Sequence, residues 1–241
     1  MRRAVSFFAV LLLCLGVAAP ARAQGRPQFR PAVLGTGPDS LINRIDGAAL
    51  MKAGQQDGAV MFCSLTAKDG RLVESRTYRP MPDSEALDKE VRRCLEDTKV
   101  APAIYNYQPV EVLFYGTIVF RVVNAKPRVR IYLHQDPVEL KKESDFIGPQ
   151  PIFGGESRFM GLHAPQVDHA VPVTGIVDLG LKIDAKGNAK EMRVIKEDPP
   201  LLGFGDAALE DFAGAKFIPA FRDGDPTECD TLLPVVYATD S

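Results

Sequence analysis

GIVDLGLKIDAKG, residues Gly175–Gly187, is laid out like GAVMFCSLTAKDG, residues Gly58–Gly70, 117 positions earlier. At the same spacing Glu191 falls on Glu74, Arg193 on Arg76, Pro199 on Pro82 and Lys216 on Lys99. Pro219-Ala220 then falls on Pro102-Ala103, Pro226 on Pro109 and Glu228 on Glu111, and Tyr237 closes the frame on Phe120. Many of these matches are turn-forming residues, which constrain backbone path more than side-chain chemistry. Shared turn spacing with divergent side chains is what two copies of one supersecondary unit produce. A pair of such units suits a binding module better than a single catalytic cleft.

Each unit reads strand, strand, helix, strand. In the second, Val177, Leu179, Leu181 and Ile183 alternate with Asp178, Gly180, Lys182 and Asp184, the period of a half-buried strand. Lys186-Gly187-Asn188 is hairpin chemistry, a second strand follows near Glu191–Ile195, and Pro199-Pro200 ends it. Gly205–Lys216 reads as a helix, with Ala208, Leu209 and Phe212 on one face, and Thr227–Tyr237 as the last strand. In the first unit the corresponding elements are Ala59–Ala67, Leu72–Tyr78, a helix Ser84–Thr98 capped by Asp83, and a long strand Val110–Val123. Val129, Ile131 and Leu133 then predict a further strand doubling back on that edge. The second unit has no such addition, so its last strand is expected to keep an open edge. Lys141–Val171 reads as an irregular Gly/Pro-rich connector, and Asp39–Gln55 has a helical pattern. The fold class is α+β, with a signal segment 1–23, a first unit 24–135, a connector 136–170 and a second unit 171–241.

The N-terminus has the marks of an export signal. Arg2 and Arg3 precede an apolar run, Val5–Ala19, and Ala21-Arg22-Ala23 supplies a small-x-small cleavage pattern before Gln24. The run is shorter than the ~20 residues a spanning helix prefers, which favours cleavage and a periplasmic protein; an uncleaved inner-membrane anchor is the alternative. Losing Arg2, Arg3 and Arg22 reduces 29 basic residues to 26 against 31 acidic ones, a net charge of −5. An acidic surface argues against nucleic acid or anionic lipid as the main partner.

Cys63, Cys94 and Cys229 remain after the signal. In an oxidising compartment one disulfide and one spare thiol is the natural arithmetic, with Cys63–Cys94 the favoured pair. Against that pair, Cys63 aligns with Gly180, on the face opposite the Val177–Ile183 row, which leaves it across the sheet from a helix packed on that row. His134, His163 and His169, with Asp168 beside the last, match no compact zinc spacing and read as loop histidines. Gly203-Phe204-Gly205 lacks the third glycine and the Lys-Ser or Lys-Thr of a phosphate loop, and reads as a tight turn into a helix. No nucleophile motif is present, so neither a catalytic residue, a metal site nor a cofactor is expected.

The layout of Val173–Tyr237 resembles the C-terminal domain of the TonB family. The resemblance rests on the strand Gly175–Ile183 before a Gly turn, the helix start Phe204–Leu209, the step Lys216-Phe217-Ile218-Pro219-Ala220, and the closing Leu233-Pro234-Val235-Val236-Tyr237. The first unit keeps Lys99-Val100-Ala101-Pro102-Ala103 and looks like a degenerate copy. The resemblance implies a small antiparallel sheet with one helix on one face, acting by protein contact in the periplasm of Gram-negative bacteria. It also implies edge-strand pairing with an envelope partner such as an outer-membrane transporter. The matching strand here carries Thr227, Cys229, Thr231, Leu233, Val235 and Tyr237, and Val235→Pro would block pairing if that amide faces the open edge. A homodimer through the same edges is the competing outcome. Family transducers keep a membrane helix and a long Pro-rich span, whereas Gln24–Pro38 is too short to cross the periplasm. An anchored energy transducer for outer-membrane transport is therefore the alternative to a binding module.

Overall fold

The computed structural model describes residues 27–165 and 173–238, so the signal segment and the pair Asp168-His169 lie outside the described residues. The chain is α+β, built of small antiparallel sheets and short helices. Its first part runs β1 (Phe29–Arg30), β2 (Val33–Leu34), α1 (Leu41–Arg44), α2 (Gly47–Lys52), β3 (Gly58–Thr66), β4 (Leu72–Tyr78) and α3 (Glu85–Glu96). β5 (Val100–Ala101), β6 (Ala103–Tyr105), β7 (Gln108–Val123) and β8 (Lys126–Tyr132) follow. The second part runs α4 (Pro137–Lys142), β9 (Phe146–Ile147), β10 (Gln150–Phe153), β11 (Gly175–Ile183), β12 (Ala189–Asp198) and α5 (Phe204–Asp211). It closes with β13 (Phe217–Ile218), β14 (Ala220–Arg222), β15 (Asp225–Thr227) and β16 (Cys229–Tyr237).

The strand registers keep the 117-position spacing. β3 pairs with β7 from Gly58↔Phe120 to Thr66↔Val112, and β11 pairs with β16 from Gly175↔Tyr237 to Ile183↔Cys229. The lone bridges Arg71↔Lys99 and Asn188↔Lys216 keep it too. So do two pairings that the sequence pattern did not suggest. Phe29 and Arg30 pair with Tyr105 and Ile104, while Phe146 and Ile147 pair with Arg222 and Phe221. Part of the expected connector is thus sheet: β9 and β10 belong with the second unit, and β10 also pairs with β7 at Ile152↔Val112.

Helix α3 lays Leu87, Val91, Cys94 and Leu95, spaced on one face, over Val60, Phe62, Phe114 and Ile118. Its N-cap position is Ser84, not Asp83, which takes a positive φ of 59°, and neither residue accepts a capping bond. α5 covers the second sheet with Phe204 and Ala208 against Val177, Leu179, Leu233, Val235 and Tyr237. It ends at Asp211, short of the expected Lys216, because the chain turns through Gly214 at a φ of 76°. The expected single helix over Asp39–Gln55 is two short ones, broken at Ile45, whose backbone is extended.

The two units share a core. Cys63, Tyr78 and Tyr115 from the first are buried in one cluster with Phe159, Val177 and Leu179. Gln150 reaches back to Ala32, accepting from its N–H at 2.7 Å and donating to its carbonyl at 2.9 Å. Arg79 forms a two-pronged pair with Asp178, at 2.8 and 3.0 Å. Asp178 is only 12 % exposed, so Arg79→Ala strands a carboxylate away from water. The expected cost is about 1–3 kcal/mol, read as a lowered urea midpoint and largely restored by adding Asp178→Asn.

Candidate functional site

The second unit forms a three-stranded sheet in the order β12-β11-β16, which leaves β16 at its rim. The first unit shows how a covered edge differs. There β7 has β3 on one side, and on the other β8 along Thr117–Val123 and β10 at Glu111 and Val112. Among the described residues no strand lies beyond β16.

Backbone direction alternates along a strand, so one anchored bond sets the rest. The Asp184 N–H donates to the Asn188 carbonyl at 3.0 Å, on the β12 side. Even-numbered residues of β11 therefore address β12, and odd-numbered ones address β16. Across the unbroken β11–β16 register, Cys229, Thr231, Leu233, Val235 and Tyr237 bond back to β11. Asp230, Leu232, Pro234 and Val236 point outward. Pro234 fits this assignment, because a residue with no N–H cannot complete the inner ladder. The first unit agrees: Ala59 accepts from the Met81 N–H on the β4 side, so its β7 partner Val119, the counterpart of Val236, faces β8.

This corrects the sequence-based assignment residue by residue. Thr227 is not on the edge strand; it sits in β15, paired with Ala220. Cys229, Thr231, Leu233, Val235 and Tyr237 are on β16, but their side chains turn toward the α5 core and their backbone groups are used inside the sheet. Among the described residues the N–H groups of Asp230, Leu232 and Val236 meet no strand, so Val235→Pro would break the inner ladder instead. The alternation was visible in the sequence; Pro234 was the signal that set its phase.

Beside Val236, Tyr237 and Ala238 opens a cavity of about 240 Å³. Phe153, Phe159 and Leu162 form one wall and Leu65 and Leu113 of the first unit another. The connector wall is tied to β16 through Asp211, which is 4 % exposed. Its carboxylate accepts from the His163 backbone N–H at 2.9 Å and the Tyr237 hydroxyl at 2.9 Å, and meets His163 Nδ1 at 2.7 Å. Burial, then the neighbouring Asp211 charge, pushes the Tyr237 hydroxyl pKa up, so it stays a donor.

Cys63 and Cys94 are free thiols, which overturns the favoured disulfide. They lie on opposite faces of the first sheet, Cys94 under α3 and Cys63 in the shared core, as the alignment with Gly180 indicated. Burial pushes Cys63 up to about 12, Cys94 to about 11 and Cys229 to about 12, so all three are protonated thiols at neutral pH and poor nucleophiles. The turn before α5 holds no phosphate site: Glu197 accepts the Leu201 and Gly205 N–H groups itself. Among the described residues no three His, Cys, Asp or Glu side chains gather as metal ligands. No helix among the described residues is long and apolar enough to cross a membrane.

His134 is buried, not a solvent-facing loop residue, between Tyr132 and Phe146, with neither ring nitrogen hydrogen-bonded among the described residues. Burial lowers its pKa below the ordinary 6.5, so the folded protein holds it neutral. Below pH 6.5 the unfolded chain gains a proton there that the folded chain does not, and stability falls as pH falls. Thermal melts should show this slope, and His134→Leu should flatten it.

Residues 165–239 match the family model described as Gram-negative bacterial TonB protein C-terminal. The match spans β11 to β16 and stops short of the first unit. The resemblance read from the sequence is thereby shown for the C-terminal unit, which is similar to a family of envelope domains that work by protein contact. No curated protein and no solved structure matches the chain.

Proposed function

We propose that this chain is a periplasmic protein-binding module that captures a strand of an envelope protein along the open side of β16. One observation carries the reading. Two edges share a register, and β8 and β10 cover one while no strand covers the other among the described residues. The first unit is then a degenerate copy whose edge is permanently filled, and the second keeps its edge for a partner. Strand addition supplies affinity through backbone N–H and C=O groups. Here the donors would be Asp230, Leu232 and Val236, with Pro234 contributing a carbonyl alone.

The reading is tested in cells by placing a photo-crosslinking amino acid at Leu232, whose side chain is half-exposed. One discrete envelope protein in the crosslinked product, lost on adding Val236→Pro, is the expected outcome. Crosslinks solely to a second copy of this chain would replace it with a homodimer. The anchored-transducer alternative requires the apolar Val5–Ala19 run to stay uncleaved, and the intact mass of the native protein separates the two. A mass beginning at Gln24 in the soluble fraction supports the binding module; one that includes Met1–Ala23 in the inner membrane supports the transducer.

A further inference from the structure

We infer that the cavity beside Val236 is a specificity pocket built jointly by both units. It takes an apolar side chain of the captured strand, while Arg76 holds an acidic side chain of the same segment. The inference rests on the edge-strand reading and adds the chemistry of the segment and a role for the first unit.

Position is the first argument. At the 117-residue spacing, Val236, Tyr237 and Ala238 correspond to Val119, Phe120 and Arg121, which pair with Arg130, Val129 and Arg128 of β8. The connector wall at Phe159–Ala164 corresponds to positions 42–47, in the α1 and α2 region that packs on β8. Gly47 approaches β8 so closely that a Cβ there would meet the Pro127 ring. The cavity therefore lies where β8 lies in the first unit. Its occupant there is an antiparallel strand with Val129 and Ile131 turned to the core and Arg128 and Arg130 exposed. The matching occupant of the second unit is an extended segment with apolar residues at alternate positions.

Chemistry is the second argument. A sheet edge offers the same backbone groups to any sequence, so selectivity needs side-chain pockets beside it. Leu65, Leu113, Phe153, Phe159 and Leu162 provide apolar walls, and Leu65 and Leu113 among them come from the first unit. Arg76 is half-buried in the same wall and has no ion pair among the described residues, whereas Glu74 is exposed at the rim. A guanidinium so placed favours a carboxylate that arrives with the ligand. The first unit thus has a use beyond spacing: it is the far wall of the groove.

Selection of random peptides of about ten residues on the full-length protein tests this, followed by titration of the enriched sequences. The expected sequences carry an apolar residue adjacent to Asp or Glu. Leu65→Thr, which keeps a strand-compatible residue, should weaken them about tenfold, and Arg76→Gln should do so for the acidic peptide but not for its amide analogue. Leu162→Ser, on the connector wall, should repeat the Leu65 result without touching a strand. Val236→Pro should abolish binding altogether. If Val236→Pro abolishes binding while the three pocket variants leave it unchanged, the pocket assignment is wrong and the edge reading stands. If Val236→Pro has no effect, or no sequence is enriched, both fall. Thermal melts of each variant confirm that it is folded.

Discussion

Val236→Pro is expected to leave the C-terminal sheet folded and to abolish strand capture, whereas Val235→Pro unfolds the sheet. The two residues are adjacent valines, so side-chain chemistry alone would treat them alike. Backbone direction separates them. Val235 sits opposite Val177 and spends its N–H inside the β11–β16 ladder, while Val236 points outward, in phase with Pro234. Proline at an inner position loses a ladder bond, strands the partner carbonyl at about 1–3 kcal/mol, and adds the clash of its ring with the neighbouring strand. That is a large part of the 5–15 kcal/mol that holds a typical domain together. At an outward position nothing bonded is lost, and the expected cost is below about 1 kcal/mol. Thermal melts and peptide titration on the same samples would show it. Equal destabilisation by both substitutions would mean that the outward assignment is wrong.

Gly187→Ala is the second substitution with a large expected effect. Gly187 has a φ of 81°, a region that costs an L-residue roughly 1–2 kcal/mol. A Cβ there would also collide with the Phe217 carbonyl oxygen, which is backbone and cannot swing aside. The turn is pinned at this point, because the Phe217 N–H donates to the Gly187 carbonyl at 3.0 Å and Lys216 Nζ donates to Asn188 Oδ1 at 2.7 Å. The expected loss is about 3 kcal/mol or more, seen as a lower urea midpoint. Gly70→Ala should behave alike: its φ is 85°, its Cβ would strike the Val100 carbonyl oxygen, and the Val100 N–H donates back at 2.9 Å. Gly224→Ala is the control. Its φ is 89° but nothing lies within 4 Å of a Cβ, so only the smaller conformational cost applies. An unchanged midpoint for Gly187→Ala would contradict the close approach of turn and strand.

The parts of the fold that could be read in advance are those written in local pattern. Alternation along Val177–Ile183, the four-residue spacing of Leu87, Val91 and Leu95, and the glycines of two hairpins are set by near neighbours. β1, β2, β9 and β10 are short, show no period, and exist because a distant strand supplies their partners, so local pattern is silent on them. One clue was present: Phe146 falls on Phe29 at the 117-residue spacing, and so the frame extends well upstream of Gly58. The edge strand itself was legible from the alternation along Cys229–Tyr237. Its phase is written only in Pro234, whose missing N–H marks the outward set, and alternation alone does not say which set that is. The cavity could not be seen at all, because Leu65 and Val236 meet only once the two units are packed.

Amide hydrogen exchange along β16, in the free full-length protein and with a selected peptide bound, tests the central claim most directly. In the free protein Thr231, Leu233, Val235 and Tyr237 should exchange slowly, as inner-ladder donors, and Asp230, Leu232 and Val236 quickly. Peptide should then protect Leu232 and Val236 without changing the inner set. Protection of Leu232 and Val236 in the free protein at every concentration would contradict an edge kept open for a partner, as would a bound peptide that leaves them exchanging as before.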